Sequence, residues 1–182
     1  MTGDPAGGGP ASRPGVPAVL APMRWWHLPA VMVLEQELFE AEAWSAAAYW
    51  SELADAETRH YVVALGSGPV AGAGGEDPPV LGYAGMAAYR PEAHVLTLGV
   101  ARAAQRRGLG AVLLRDLLGA AERAGAREVY LDVRADNPVA QRLYARHGFV
   151  AIGVRRRYYQ PSDTDAVVMR RDSVAPLTEV LR

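Results

Sequence analysis

The 182-residue chain contains no cysteine and no lysine, and all 19 of its basic residues are arginine. Without cysteine there is no disulfide framework, no thiolate metal site and no cysteine nucleophile, so several enzyme classes drop out together. Without lysine there is no Schiff-base chemistry and no lysine to clamp a phosphate. The four histidines, His27, His60, His94 and His147, lie far apart without ligand spacing, so no metal site is expected. A formal net charge of −1 and the lack of a polybasic run argue against nucleic-acid or acidic-membrane binding by bulk charge. No apolar run reaches the roughly 18 residues a membrane helix needs. The Gly- and Pro-rich start lacks both a basic n-region and a long apolar stretch. It reads as a disordered tail over 1–18, not a signal peptide, and the expected location is the cytoplasm.

Half of the residues are hydrophobic, enough for one globular domain with a substantial core, expected over 19–171 with a short tail at 172–182. The spacing predicts strands over 19–24, 60–65, 80–89, 95–100, 128–133, 149–154 and 165–170. Helices are predicted over 29–39, 45–53, 111–124 and from Pro138 to about Gly148. The Gly/Pro-rich stretch 66–79 reads as a long connection, disordered at its tip, between two hairpin strands. Leu113, Leu114, Leu117, Leu118 and Ala121 form one apolar stripe, and Gly125 reads as a C-terminal cap. Asn137 followed by Pro138 is an N-cap and first-turn pair. This alternation gives an α/β (α+β) single domain with a mixed sheet.

Between the strand at 95–100 and the helix at 111–124 stands Gln105-Arg106-Arg107-Gly108-Leu109-Gly110. Two glycines at i and i+2 let backbone approach a ligand, and a new helix offers unpaired N–H groups and the positive end of its dipole. A pyrophosphate would satisfy both, although Gly-x-Gly also occurs in ordinary turns.

Two linked blocks decide between these readings: VLTLGV followed by QRRGLGAVLLRDLL, and YLDVRADNPVAQRLYARHGF. Together they resemble the GNAT family of acyl-CoA-dependent N-acetyltransferases. The chain is most similar to the RimI-type N-terminal alanine acetyltransferases of ribosomal proteins, whose pattern is matched by Leu131-Asp132-Val133-Arg134, Asn137 to Phe149 and Arg155 to Tyr159. The resemblance implies the GNAT fold, a mostly antiparallel central sheet of six to seven strands flanked by helices. It implies acetyl-CoA as co-substrate, with Leu98, Gly99 and Val100 lending backbone to the pantetheine arm and the Val100 N–H facing the thioester carbonyl. Arg106, Arg107, Gly108, Leu109, Gly110 and Ala111 would surround the pyrophosphate, and Asn137 would contact the cofactor or simply cap its helix.

The resemblance further implies Asp132 as general base and Tyr144 as the acid that protonates the departing thiolate. The RimI pattern carries glutamate where this chain has Asp132, one methylene shorter, so a water relay is implied. Against these roles stand an aspartate paired with Arg134 and a tyrosine belonging only to the core. An α-amino group has a pKa near 8, so a weak base suffices. For the acceptor, 25–58 carries seven acidic residues and no arginine, which reads either as attraction for a basic peptide or as a solvated helix face. Glu35, Tyr158 and Tyr159 are the acceptor-site candidates; Arg155, Arg156 and Arg157 are expected to pair with the acidic region or with the sheet. The expected reaction is direct acetyl transfer to a protein N terminus, a basic ribosomal-protein segment beginning with alanine. A lysine or small-molecule amine, and a catalytically silent acyl-CoA-binding module, are the other readings.

Overall fold

The computed structural model describes residues 18–67 and 78–172. The expected tails, except Ala18 and Asp172 at their inner ends, and the tip of the long connection lie outside them; those two residues belong to strands. The strands are β1 (Ala18–Pro22), β2 (Arg59–Gly66), β3 (Val80–Tyr89), β4 (Glu92–Val100), β5 (Glu128–Arg134), β6 (Val150–Tyr159) and β7 (Thr164–Asp172). The helices are α1 (Leu28–Phe39), α2 (Ala46–Ala54), α3 (Leu109–Arg123) and α4 (Pro138–Arg146), with a 3-10 turn at Glu40–Glu42. The seven strands form one sheet in the order β1-β2-β3-β4-β5-β7-β6. Every neighbouring pair is antiparallel except β4 and β5. This is the GNAT fold.

Local chemistry sets the element ends. Ser45 caps α2 by accepting from the Ala48 N–H, and Asn137 caps α4 by accepting from Ala140. Gly125 follows α3 with φ +79°, the left-handed turn foreseen for a C-terminal cap. β6 runs five residues beyond its expected end, through Tyr159, because Arg155 pairs with Ala166 and Tyr159 with Thr164 on β7.

Each face of the sheet is covered by its own helices. On one face the α3 stripe is buried as its spacing foretold, with Leu113, Leu114 and Leu117 fully enclosed and Val129, Leu131, Val133 and Tyr144 in the same cluster. Fully burying each such leucine contributes about 1.5–3 kcal/mol. On the other face α1 and α2 pack through Val31, Leu34 and Tyr49 onto Tyr61, Val63 and Tyr83. Because side chains alternate along a strand, Tyr130, Asp132 and Arg134 point to the α1/α2 face while Val129, Leu131 and Val133 point to the α3/α4 face.

Candidate active site

The sheet opens in the middle. β4 and β5 pair only from Glu92 with Glu128 to Val95 with Leu131; beyond that point they part. The next residue of β4, Leu96, is an extra one against β3, because Met86 pairs with Val95 and Gly85 with Thr97. Such a bulge bends its strand and frees local backbone from the ladder. A cavity of about 150 Å³ occupies the gap, lined by Leu96, Thr97 and Leu98 of β4, by Leu131 to Arg134 of β5, and by side chains from both faces.

From the α3/α4 face comes Tyr144. It is buried, packs edge-on against Phe149 with ring centroids 5.8 Å apart, and lines the cavity. Core residue and site residue are therefore both true of it. Burial pushes its phenol up to about 12. Asn137 and Ala140, from the start of α4, line the same space. Asn137 performs its capping role there, its Oδ1 3.0 Å from the Ala140 nitrogen.

None of residues 105–111 lines the cavity; the glycine turn comes near it only through Gly110, which lies beside Leu98. Gly108 has φ +84° and open space where a Cβ would stand, and it caps α3 without a side chain; the Ala111 N–H donates to the Gly108 carbonyl at 3.0 Å, which leaves the N–H groups of Leu109 and Gly110 to an outside acceptor. Gly110 serves packing, since a Cβ there would come within 3.3 Å of Leu143 and 3.9 Å of Leu98. Arg106, with φ +60°, and Arg107 are exposed beside the turn, whereas Leu109 is buried in the core and Ala111 is half-buried. Gly99 has a structural reason of its own: a Cβ there would lie 2.7 Å from the Tyr83 ring. Val100 lies outside the cavity lining, and its carbonyl accepts the Gln105 amide at 3.0 Å. Arg102 reaches neither the turn nor the cavity; it donates to the Glu37 carbonyl of α1.

From the α1/α2 face comes Asp132. Its expected alternative partner, Arg134, is elsewhere: Arg155 supplies the cation, 3.2 Å from Oδ2. The other oxygen, Oδ1, is buried and has no hydrogen-bond partner among the described residues. Tyr159 lies across it, donating to the Asp132 backbone carbonyl at 3.2 Å. Burial, and then the Asp132 charge, raise the Tyr159 phenol above its usual range. Tyr158 stays out of the cavity, half-exposed beneath Arg155.

Glu35 is fully buried at the base of this side. Its carboxylate accepts from the hydroxyls of Tyr49 and Tyr83, the latter at 2.7 Å, and from the Trp44 N–H at 3.0 Å. Phe39, Glu42 and Trp44 complete the wall. Glu42 and Arg134 were not singled out as site residues from the sequence. They meet across 92 residues of chain, where no spacing signal exists.

Of the seven acids of 25–58 only Glu35 is buried, but most of the others have partners within the molecule. Glu35 binds tyrosines, Glu37 faces Arg102, Glu42 faces Arg134, Glu52 faces Arg59, and Asp55 faces Thr58. Attraction of a basic peptide by a free acidic helix face is thereby reduced to Glu40 and Glu57. Arg155 and Arg156 pair with Asp132 and Asp165 of the sheet, not with the acidic helices.

Residues 23–149 match the model of the acetyltransferase (GNAT) family. The chain belongs to the GNAT family. Among the relatives of this acetyltransferase is the N-alpha-acetyltransferase RimI of Mycobacterium tuberculosis, 44% identical over 148 residues that cover 79% of this chain and 85% of that one. The ribosomal protein bS18-alanine N-acetyltransferase of Escherichia coli is 39% identical over 80 residues, 43% of this chain and 54% of that one. The crystal structure of the Escherichia coli ribosomal-protein-S18-alanine N-acetyltransferase superimposes with a TM-score of 0.72 at 27% identity, covering 88% of this chain and 97% of that one. Among the described residues no helix is long and apolar enough to cross a membrane.

Proposed function

We propose that this GNAT acetyltransferase moves the acetyl group of acetyl-CoA directly onto the N-terminal α-amine of a protein, its acceptor being the N-terminal alanine of a ribosomal protein in the cytoplasm. The likeness to RimI enzymes supports the acceptor. The observation that carries the chemistry is that Asp132 and Tyr144 reach one cavity from opposite faces of the sheet, through the gap between β4 and β5. The amine arrives and the thiolate leaves as different substituents of one tetrahedral carbon, so the base and the acid have to reach that carbon from different directions.

The residues fit the co-substrate. The uncapped first turn of α3, opened by Gly108 at positive φ, suits a pyrophosphate. The bulged segment 96–98 presents strand backbone along the pantetheine path, and the thioester supplies an activated acyl group at the gap. On the acceptor side Asp132 uses its unpartnered Oδ1 to take the ammonium proton, directly or through one water, so that the neutral amine attacks. On the donor side Tyr144 gives its hydroxyl proton toward the sulfur as the C–S bond breaks, and is reprotonated from solvent. The burial that raises this phenol also disfavours a free thiolate beside it, so acid and leaving group rise together. Retention of both groups in the cavity speaks against a silent binding module.

The test is CoA release with three peptides: one starting Ala-Arg, the same with a blocked N terminus, and a blocked peptide containing lysine. Turnover of the free N terminus alone is expected; turnover of the blocked lysine peptide would overturn the acceptor assignment.

A further inference from the structure

Arg134 has no part in these proton transfers, yet it is the most fully engaged side chain at the cavity. It ends β5 two residues beyond Asp132 and so points to the same face. Its Nε and Nη2 donate to both oxygens of Asp136, at 2.9 and 2.7 Å. Nη1 donates to both oxygens of Glu42, at 2.5 and 2.6 Å, and to Ser162 at 3.3 Å. Nη2 also reaches Thr164 at 3.1 Å. The guanidinium lies 5.6 Å from the centre of the Tyr159 ring. Ser162 closes the circuit by donating to Glu42 at 2.6 Å, 120 residues away in sequence.

Three separate parts of the acceptor side meet on this one group: the turn at Glu40–Glu42, the end of β5, and the connection from β6 to β7. A guanidinium has five N–H donors in a planar fork, and here both terminal nitrogens and Nε are already taken by protein oxygens. Arg134 thus has no free donor for an acceptor. It acts through what it holds. Glu42 and Asp136 would otherwise face each other as like charges, with the Glu42 side chain only 11% exposed.

We propose that Arg134 is a positioning residue of the acceptor site: it docks the β6–β7 connection onto the 40–42 turn and sets Tyr159 against Asp132, fixing where the acceptor amine meets the base. The kinetic part of this proposal rests on the acetyl-transfer reading. The docking part rests on the fold alone.

Arg134→Lys is the discriminating change, because lysine keeps the charge and loses the fork and the face that covers Tyr159. The expected result is a rise of roughly 10-fold in KM for the acceptor peptide, with KM for acetyl-CoA within about twofold of wild type. Glu42→Gln, nearly isosteric, is expected to raise the acceptor KM by a smaller factor. The double variant should be no worse than Arg134→Lys alone, since the pair works as one unit. In the absence of any acceptor, hydrogen exchange of the backbone over 159–165 should quicken in Arg134→Lys, while exchange in β5 and α3 stays unchanged.

Unchanged exchange at 159–165 overturns the docking. Equal rises in both KM values, an unchanged acceptor KM, or additive effects in the double variant overturn the positioning role. If wild-type protein acetylates no peptide, the acceptor reading fails, and the exchange measurement still decides whether Arg134 docks the connection.

Discussion

The two faces of the sheet meet at one cavity but are built by different means. The α3/α4 face, to which the proposed function assigns the co-substrate, is made of backbone and close neighbours in sequence: a bulge in β4, a glycine turn nine residues on, and the first turn of the helix that follows. The α1/α2 face, to which the proposed function assigns the acceptor, is made of side chains drawn together from distant segments, with Glu42, Arg134, Tyr159 and Ser162 holding one another across as many as 120 residues. The difference is between a geometry that backbone conformation specifies locally and one that exists only after the sheet has assembled. It follows that lesions on the first face should act on acetyl-CoA or on the leaving group, and lesions on the second on the amine.

The largest effect should come from Tyr144→Phe, which removes the acid and nothing else. A fall in kcat of about 10- to 1,000-fold is expected, with acetyl-CoA binding by calorimetry retained. Full activity in that variant would remove the donor face from the chemistry. Asp132→Asn is next, with kcat/KM for the amine lower by about 100-fold. Asp132→Glu should recover most of this if a carboxylate in reach of Oδ1's place is what counts. Should Asp132→Asn instead weaken acetyl-CoA binding, the division between the faces is wrong.

Gly108→Ala puts a Cβ on a residue with φ +84°, at a cost of about 1 kcal/mol. Because the space around it is open, the strain should appear as a KM for acetyl-CoA about fivefold higher, with the acceptor KM unaltered. The smallest effect is in pH. The Tyr144 phenol is raised by burial from 10.0 to about 12, so the group stays protonated where an exposed tyrosine would ionise. The stability gained by keeping it neutral is complete below pH 10 and is lost as pH rises through about 12. Alkaline unfolding followed by circular dichroism should therefore be less steep over that window in Tyr144→Phe, and wild-type kcat should show no decline from this group up to about pH 10.

How much of this was legible in the sequence follows the same division. The α3 stripe, the capped start of α4, the Gly108 turn and the alternation of β5 are written within a few residues of themselves, and each appears in the structure where its spacing puts it. Asp132 and Tyr144 sit on one strand–helix unit, twelve residues apart, and come together at the gap. Nearness in sequence offered Arg134 as the alternative partner of Asp132, whereas the register of β6 against β7 brings Arg155 instead. The acidic run of α1 and α2 was legible as composition and not as structure. Which carboxylates are free depends on Arg59, Arg102 and Arg134, contributed by three other segments. Tyr158 and Tyr159 could not be told apart without knowing how β6 enters the turn; Tyr159 faces the cavity and Tyr158 faces out.

Leu96 marks where the cavity opens, and it does so by count. β4 carries one residue more than β3 has places for at the very point, Val95, where its parallel ladder with β5 ends. Deleting that single residue would let β4 continue in register alongside β5. Thr97 would keep Gly85 as its partner and Leu98 would keep Ala84, so the side chains beyond the deletion would hold their present faces. The product would be a fully zipped seven-stranded sheet with its helices in place and no aperture from one side to the other. In such a protein the acid and the base would still be present, separated by a closed wall of backbone.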